Sequence, residues 1–333
     1  MLEHGGRLRA AAQHYAIERA DWLDLSTGIA PWAWPIPEIA PQAWARLPET
    51  DDGLEAAACA YYGVPHLLPV PGSQAAIQAL PRIRSACRVG VLSPCYAEHA
   101  HAWRKSGFLV REVREHEVEH FLDSLDVLVV VNPNNPTGLH LTTQRLLEWH
   151  ARLVERGGWL VVDEAFMDNT PGLSLAAESW RTGLIVLRSF GKFFGLAGVR
   201  LGFVLAETGL LKSLAAEIGP WAVSGPTRIL GQVCLEDRAG HARQRVRCEQ
   251  ASQRLATLLG NHGLSPQGGC ALFQWVVSGQ APALYEFCAR RGVLLRLFAD
   301  EGSGASLRFG LPCDEADWLR LENVLLEYRK EHP

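Results

Sequence analysis

The sequence lacks several patterns that identify other classes of protein. Its 333 residues carry 32 Lys+Arg against 36 Asp+Glu, giving a formal net charge of -4 without any basic stripe. A nucleic-acid partner is therefore not expected. No apolar run approaches the length of a membrane span, and residues 1–20 have no apolar core of the signal-peptide type. We expect a cytoplasmic protein with no membrane partner.

Paired cysteine motifs, internal repeats and low-complexity tracts are also missing. The eight cysteines are scattered without a CxxC pair, so neither a disulfide framework nor a zinc site is expected. We predict that all eight are buried structural thiols in a reducing compartment, and that no metal is bound.

What is present is the composition of a globular protein, with 48% hydrophobic and 20% charged residues. Apolar runs typical of buried strands alternate with helical patterns from Leu67 to Leu205, which predicts a mainly parallel sheet with helices on both faces. Beyond about Gly219 the pattern changes to a smaller α+β unit, starting with a helical region from Pro226 to Leu259 that is broken near Gly240. We predict an N-terminal arm packed with the small domain (1–30), a large α/β domain (31–220) and a small C-terminal domain (221–333).

The chemistry of the chain is concentrated in the stretch from Ser189 to Gly202, S-F-G-K-F-F-G-L-A-G-V-R-L-G. Lys192 lies in a glycine-rich turn after an apolar run, where a lysine amine can acquire a lowered pKa and form a Schiff base with an aldehyde. Ser189 and Arg200 are donors of the type that hold a phosphate. Together these residues suggest pyridoxal 5'-phosphate (PLP), a cofactor that needs both an amine for a Schiff base and an anchor for its phosphate. A glycine-rich surface loop with ordinary charges is the alternative.

Other polar groups follow predicted strands or open predicted helices. Gly72-Ser73-Gln74 opens a helix, and the N-terminus of a helix favours an anion. The alternative is a loop glycine followed by a serine that caps the helix. Asn135 lies in the turn Asn132–Gly138 after a buried strand, where an amide can donate to a phenolate-type oxygen or simply end the strand. Asp163 follows the next strand, and a pyridinium nitrogen, a helix cap or a buried ion pair would each suit a carboxylate there.

Two further residues are candidates with equally ordinary alternatives. Tyr96 follows Ser93-Pro94-Cys95 and can stack on a flat cofactor or belong to the core. Arg308 lies in a short strand of the small unit, where its fork can grip a carboxylate or face the solvent.

In order and spacing, this set resembles the fold-type I PLP-dependent enzymes of the aminotransferase class I/II superfamily, from about Asp24 to the C-terminal helix. The resemblance implies the PLP-dependent transferase fold type I, with PLP as cofactor and a homodimeric assembly. It implies catalytic roles for Lys192, which forms the Schiff base, and for Asp163, which holds the pyridine nitrogen. The other implied cofactor contacts are Gly72, Ser73 and Gln74 with Ser189 and Arg200 at the phosphate, Asn135 at the phenolic oxygen, and Tyr96 on the ring. The implied substrate contacts are Arg308 at the carboxylate, together with His4, Gly28 and Asn135.

Two branches of the superfamily are similar to this chain: the histidinol-phosphate aminotransferases and the threonine-phosphate decarboxylases of cobalamin biosynthesis. Phe166 stands where such aminotransferases usually carry a tyrosine, and the N-terminal His4-Gly5-Gly6 resembles the decarboxylase branch. The expected reaction is decarboxylation of L-threonine O-3-phosphate, with amino transfer as the alternative and a non-catalytic PLP-binding protein as a lesser one. Leu47 departs from both branches, because it replaces a tyrosine that reaches the partner subunit's cofactor phosphate.

Overall fold

The computed structural model describes residues 4–85, 87–299 and 304–332 of the chain. Contacts between Cα atoms divide it into two compact units. The larger unit comprises residues 33–135 and 139–242, and the smaller comprises residues 1–32, 136–138 and 243–333. The predicted domain boundary at residue 220/221 therefore differs from this division, which places residues 221–242 in the larger unit. Within the described residues, no helix combines the length and the apolar character needed to cross a membrane.

The helices and strands have the following bounds. The helices are α1 (Leu8–Tyr15), α2 (Gln42–Ala45), α3 (Leu54–Tyr62), α4 (Ser73–Ala79), α5 (Glu98–Lys105), α6 (Val118–Phe121), α7 (Thr143–Val154), α8 (Phe190–Phe193), α9 (Thr208–Ile218), α10 (Gly225–Glu236), α11 (Arg238–Asn261), α12 (Ala281–Arg290) and α13 (Glu315–Glu331). The strands are β1 (Leu23–Asp24), β2 (Leu68–Val70), β3 (Val89–Leu92), β4 (Val110–Val113), β5 (Val127–Val131), β6 (Trp159–Asp163), β7 (Leu184–Ser189), β8 (Gly202–Leu205), β9 (Gly268–Cys270), β10 (Phe273–Val277), β11 (Val293–Leu294), β12 (Arg296–Phe298) and β13 (Ser306–Gly310).

The larger unit is built on a seven-stranded sheet in the order β2-β8-β7-β6-β5-β3-β4. The strands from β3 to β7 are all parallel to their neighbours within that group. Strand β8 is antiparallel to both of its neighbours, β2 and β7. Successive residues of β5 point to opposite faces and are buried on both, which explains its unbroken valine-rich sequence. One face packs against α3, α7 and α10, and the other against α4, α5 and α9. The predicted mainly parallel α/β sheet is confirmed.

The smaller unit has an antiparallel sheet in the order β12-β13-β10-β9. A separate parallel pair joins β1, from the N-terminal part of the chain, to β11. Backbone bonds extend this pairing on both sides, from Leu23 N to Gly292 O and from Leu25 N to Leu294 O (both 2.8 Å). Residues 4–32 thus belong to the same compact unit as the C-terminal region.

The cysteine prediction is wrong in part. Three cysteines are buried and four are half-buried, whereas Cys313 is exposed because it lies in the turn between β13 and α13. The buried ones are Cys234, Cys248 and Cys288, and the half-buried ones are Cys59, Cys87, Cys95 and Cys270. Across the part of the chain that the structure describes, no cluster of His, Cys, Asp or Glu is arranged to hold a metal ion.

Residues 221–242 belong with the large unit because α10 is anchored there by a buried arginine. Arg228 bonds to Asp52 (2.6 and 2.7 Å) and to Glu55 (2.5 Å) at the start of α3. Burial opposes ionisation of Asp52, but the hydrogen bonds from Arg228 and from Leu54 N–H outweigh it and leave the pKa of this carboxyl below its usual value.

We expect Arg228→Met to lower the free energy of unfolding by about 2 kcal/mol, because it breaks hydrogen bonds to charged groups and leaves Asp52 and Glu55 without their partner. Urea unfolding measures this loss. As a control, Arg46→Met removes a pair with Glu49 whose side chains are 76% and 78% exposed, and we expect it to cost less than about 1 kcal/mol. Equal losses in the two variants would contradict this assignment.

Candidate active site

The register of the large sheet brings the ends of four strands to one edge. Val131 of β5 lies opposite Asp163 of β6, which lies opposite Leu187 of β7. Because β8 is antiparallel, its first residue, Gly202, is paired with Ser189, the last residue of β7. Residues that follow β5, β6 and β7 in the sequence therefore meet residues that precede β8, at the edge where open α/β sheets bind ligands.

Asp163 is a buried carboxylate, 3% exposed, at this edge. Its Oδ2 lies 2.8 Å from Nε2 of His99, and its Oδ1 accepts a bond from the backbone N–H of Ala165 (3.0 Å). Asp163 therefore caps no helix but accepts a local bond within the turn that follows β6, and its buried partner is a histidine. These two partners fix the orientation of the carboxylate at the strand end.

Lys192 lies in α8, a single turn that begins directly after β7. Its half-buried side chain has Nζ 5.9 Å from the ring centroid of Phe166. Phe193 and Phe194, which follow it, are buried and pack on Trp34, whose backbone N–H donates to Phe194 O (2.9 Å). Phe193, Phe194 and Trp34 thus form an aromatic base under α8, and the Lys192 amine lies near a further aromatic ring, that of Phe166.

An anion cradle is formed where β8 begins. Gly72 has φ = 74°, and a Cβ atom added to it would lie 2.7 Å from Nη2 of Arg200. A Cβ atom on Gly202 would lie 2.5 Å from the backbone N of Ser73. The absence of these two side chains lets the Arg200 guanidinium, the start of α4 and the Ser189–Gly202 pair come together. This donor set fits a phosphate group.

Tyr96 connects the cradle with the buried carboxylate. Its hydroxyl donates to Oε1 of Gln74 (3.1 Å), and its ring meets that of His99 edge to face at 6.1 Å. Burial, followed by the negative charges of Glu98 and Asp163, raises the pKa of Tyr96 to about 12, with Arg200 acting in the opposite direction. Tyr96 is therefore neutral at ordinary pH and can act as an aromatic surface.

The asparagine-rich turn divides into structural and candidate positions. Asn132 is buried and exchanges bonds with the backbone of Leu141 (2.8 and 3.1 Å), and Asn134 donates to Pro94 O (2.8 Å). Asn135 is half-buried in the middle of this turn. Asn135 therefore remains the candidate of this turn, since Asn132 and Asn134 shape the loop.

In the smaller unit, Arg308 is buried, with 6% exposure, rather than at the surface. Its Nη2 donates to Ser26 O (2.8 Å). Burial, and then the positive charge of Arg296, lowers the pKa of Arg308 to about 10, so the guanidinium is still charged at neutral pH.

The N-terminal candidates meet the same part of the smaller unit. Gly6 N–H donates to Ser26 Oγ (2.8 Å), and a Cβ atom on Gly5 would lie 2.3 Å from Ser26 O. His4 precedes this contact and is exposed, while Gly28 is buried two residues after Ser26. The segment that carries His4 is thus tied to the residue that accepts from Arg308, whereas Gly28 has no polar side chain to offer.

Sequence reasoning missed two features of the site. His99 pairs with Asp163, and its position three residues after Tyr96 was the available signal, since both residues follow β3 closely, as the other candidates follow their strands. Arg188 is fully buried between Glu164 and Asp168. The available signal was a charged residue at the end of each of two apolar strands: Glu164 directly follows β6, and Arg188 is the second-to-last residue of β7.

The chain belongs to the aminotransferase class I and II family, whose model matches residues 33–321. Among curated relatives, threonine-phosphate decarboxylase of Pseudomonas aeruginosa is 64% identical over 330 residues, which is 99% of this chain and 99% of that protein. Threonine-phosphate decarboxylase of a Sinorhizobium species is 41% identical over 97% of each chain.

Solved structures share the fold at low identity. Histidinol-phosphate aminotransferase from Sinorhizobium meliloti, in complex with pyridoxal-5'-phosphate, has a TM-score of 0.84 at 18% identity and covers 100% of this chain and 96% of its own. L-threonine-O-3-phosphate decarboxylase from Porphyromonas gingivalis has a TM-score of 0.76 at 20% identity, over 92% of this chain and 99% of its own. The fold-type I expectation is confirmed.

Proposed function

We propose that this protein is a PLP-dependent carboxy-lyase that converts L-threonine O-3-phosphate to (R)-1-aminopropan-2-yl phosphate and CO2, in cobalamin biosynthesis. The observation that carries the proposal is the 64% identity, over nearly the whole of both chains, with a threonine-phosphate decarboxylase. The donor set of the larger unit supports the cofactor, because it joins an amine, an anion cradle and a buried carboxylate.

Each candidate residue has a proposed role toward PLP. Lys192 offers the amine for the cofactor aldehyde, and Asp163, held by His99, faces the pyridine nitrogen. Arg200 and Ser189, with Gly72, Ser73 and Gln74, hold the phosphate. Asn135 donates to the phenolic oxygen, and Tyr96 covers the ring. Bound PLP supplies an electron sink for the electron pair left at Cα when a bond to that carbon breaks.

The residues of this chain then decide which bond breaks and where protons go. The Asp163 carboxylate would be the partner of the pyridine nitrogen, and a carboxylate partner would favour the protonated form of that nitrogen. Arg308 would bind the substrate carboxylate, and His4 would contribute to holding the substrate phosphate. Gly28 would contact the substrate through its backbone alone. Lys192 Nζ returns a proton to Cα after CO2 has left. Decarboxylation would break the Cα–carboxylate bond, whereas amino transfer would break the Cα–H bond, so the contact of Arg308 with the substrate carboxylate would bear on the choice between them.

Phe166 supports the decarboxylase over an aminotransferase. Its ring faces Lys192 and has no hydroxyl to offer the phenolic oxygen of the cofactor. Amino transfer from histidinol phosphate is the second candidate, favoured by the fold likeness to histidinol-phosphate aminotransferase.

The test offers purified holoenzyme two substrates in parallel. With L-threonine O-3-phosphate we expect catalytic release of CO2 and one aminopropanol phosphate per CO2. With histidinol phosphate and 2-oxoglutarate we expect no glutamate. Glutamate formation without CO2 release would replace the proposal with an aminotransferase, and cofactor binding without turnover of either substrate would leave a non-catalytic binding protein.

We also propose a homodimer in the cytoplasm. Apolar side chains are exposed on the larger unit around α2 and before α10, and large exposed apolar groups of this kind are typical of interfaces. The residues concerned are Trp44 (70% exposed), Leu47 (64%) and Trp221 (61%). Light scattering coupled to size exclusion is expected to give twice the chain mass of 36.6 kDa; the chain mass itself would exclude a stable dimer.

A cofactor-binding prediction concerns Tyr96. We expect Tyr96→Ala to weaken PLP binding to the apoprotein by up to about tenfold, because aromatic stacking contributes about 0.5–1.5 kcal/mol. Tyr96→Phe keeps the aromatic face and loses only the bond to Gln74, so its Kd is expected to stay within about threefold. Fluorescence titration with PLP measures both values, and equal losses in the two variants would show that the hydroxyl, not the ring, is the contact.

A further inference from the structure

A buried ionic cluster lies directly behind the candidate active site. Arg188, Glu164 and Asp168 are 1%, 0% and 1% exposed. Arg188 Nη1 donates to Glu164 Oε2 (2.7 Å), and its Nη2 donates to Asp168 Oδ1 (2.8 Å). One guanidinium thus bridges two carboxylates in the interior, where charges are tolerated only when paired.

Further hydrogen bonds fix the geometry of both carboxylates. Glu164 accepts from the Ser174 hydroxyl and from Leu175 N–H (2.7 Å). Asp168 accepts from the Tyr61 hydroxyl (3.0 Å). Burial raises the pKa of Glu164 above its usual value, and the charge of Arg188 opposes this rise. Loss of Arg188 would therefore favour protonation of Glu164 and loosen the cluster.

The cluster is joined to the candidate catalytic residues through the chain. Glu164 directly follows Asp163, and Arg188 directly precedes Ser189, which leads into the turn that carries Lys192. Glu164 and Asp168 are also the two ends of a five-residue turn whose middle residue is Phe166. Arg188 therefore holds both ends of the segment that presents the Phe166 ring 5.9 Å from Lys192 Nζ.

We propose that Arg188 is a positioning residue that, through Glu164 and Asp168, fixes Asp163 and the Phe166 ring relative to Lys192 and thereby tunes the lysine's reactivity toward the cofactor. The inference rests on the proposed cofactor role of Lys192 but is independent of which substrate is consumed. A structural role alone would lower stability and leave Lys192 unaffected.

The test compares variants at two buried arginines of the larger unit. Arg188→Met removes the bridge, and the triple variant Arg188→Met/Glu164→Gln/Asp168→Asn removes all three charges, so that no carboxylate is left buried without its partner. Arg228→Met is the matched control, because Arg228 is also a buried arginine between two carboxylates but has no contact with the 164–168 turn among its bonds.

Three readouts are taken alongside thermal melting: hydrogen exchange of amides 164–168, the Kd of the apoprotein for PLP, and the pH midpoint of the visible band of the cofactor-loaded protein. For both Arg188 variants we expect faster exchange at 164–168, at least about tenfold weaker PLP binding, and a midpoint shift of about half a pH unit or more, since the surroundings of the lysine change. Arg188→Lys, whose single ammonium replaces the fork, is expected to restore part of each effect.

The proposal is overturned if the triple variant melts near the wild type and its exchange, PLP affinity and band midpoint all match those of Arg228→Met. It is also overturned if the Arg188 variants lose only stability. Failure of the proposed function looks different: the wild type would then release no CO2, while the Arg188 variants would still show the shifts in exchange and band midpoint.

Discussion

Replacing Lys192 with alanine is expected to remove the visible band of the cofactor-loaded protein and to lower kcat by at least about 10⁴-fold, the scale seen when a reacting nucleophile is deleted. No other amine is available at this position, since the turn is otherwise glycine and phenylalanine. The aromatic base under α8 belongs to Phe193, Phe194 and Trp34, so the fold is expected to persist. Absorbance and CO2 release are measured on the same sample.

Lys212→Ala is the matched control, because Lys212 is exposed on α9 and far along the chain from the turn. It is expected to keep both the band and the activity. If Lys192→Ala retained the band, or if its kcat fell less than tenfold, the assignment of Lys192 as the reacting amine would be wrong.

The second large effect is expected for Asp163→Asn, which keeps the shape of the side chain and removes its charge. Loss of one preorganised electrostatic partner costs about 10²–10³-fold in kcat, and we expect a loss of that size. The amide can still accept from Ala165 N–H and remain beside His99, so backbone geometry at the strand end is retained. We therefore expect kcat of Asp163→Asn to fall while its melting temperature changes no more than that of a surface variant.

Asp126→Asn provides the comparison at the opposite edge of the same sheet. Asp126 precedes β5 and forms a pair with Arg88 (3.0 Å) that is partly exposed. We expect a small loss of stability and an unchanged kcat. A kcat for Asp163→Asn within tenfold of the wild type would indicate that the pyridine nitrogen does not depend on this carboxylate.

Local patterns were sufficient for most of the elements. The valine runs of β5 and β6 predicted buried parallel strands, because only a strand covered on both faces carries apolar residues without alternation. Threonine is a residue type that favours helix caps, and the Thr142 hydroxyl accepts from Arg145 N–H (3.3 Å) at the start of α7. The break in the long helical region falls at Asp237 rather than near Gly240, because Asp237 accepts from Gly240 N–H (2.8 Å) and caps the start of α11.

The domain boundary shows where such patterns fail. A change of composition near Gly219 indicated a new domain, but α10 belongs to the larger unit. What holds α10 there is the pair between Arg228 and Asp52, which are 176 residues apart in the chain. Partners so distant in sequence leave no local signal, since nothing in the sequence around Asp52 distinguishes it from carboxylates that do not pair with Arg228.

By itself, the sequence determined the fold class and the identity of the groups that carry the proposed chemistry: a lysine in a glycine-rich turn and a carboxylate at the end of a buried strand. Chain order and residue type are enough for these features, because strand ends and tight turns are local properties. Only the tertiary structure decided the partners of those groups. His99 on Asp163, Arg188 between Glu164 and Asp168, and the glycine-lined approach of Arg200 depend on strand register and packing, where groups distant in sequence meet in a low-dielectric interior.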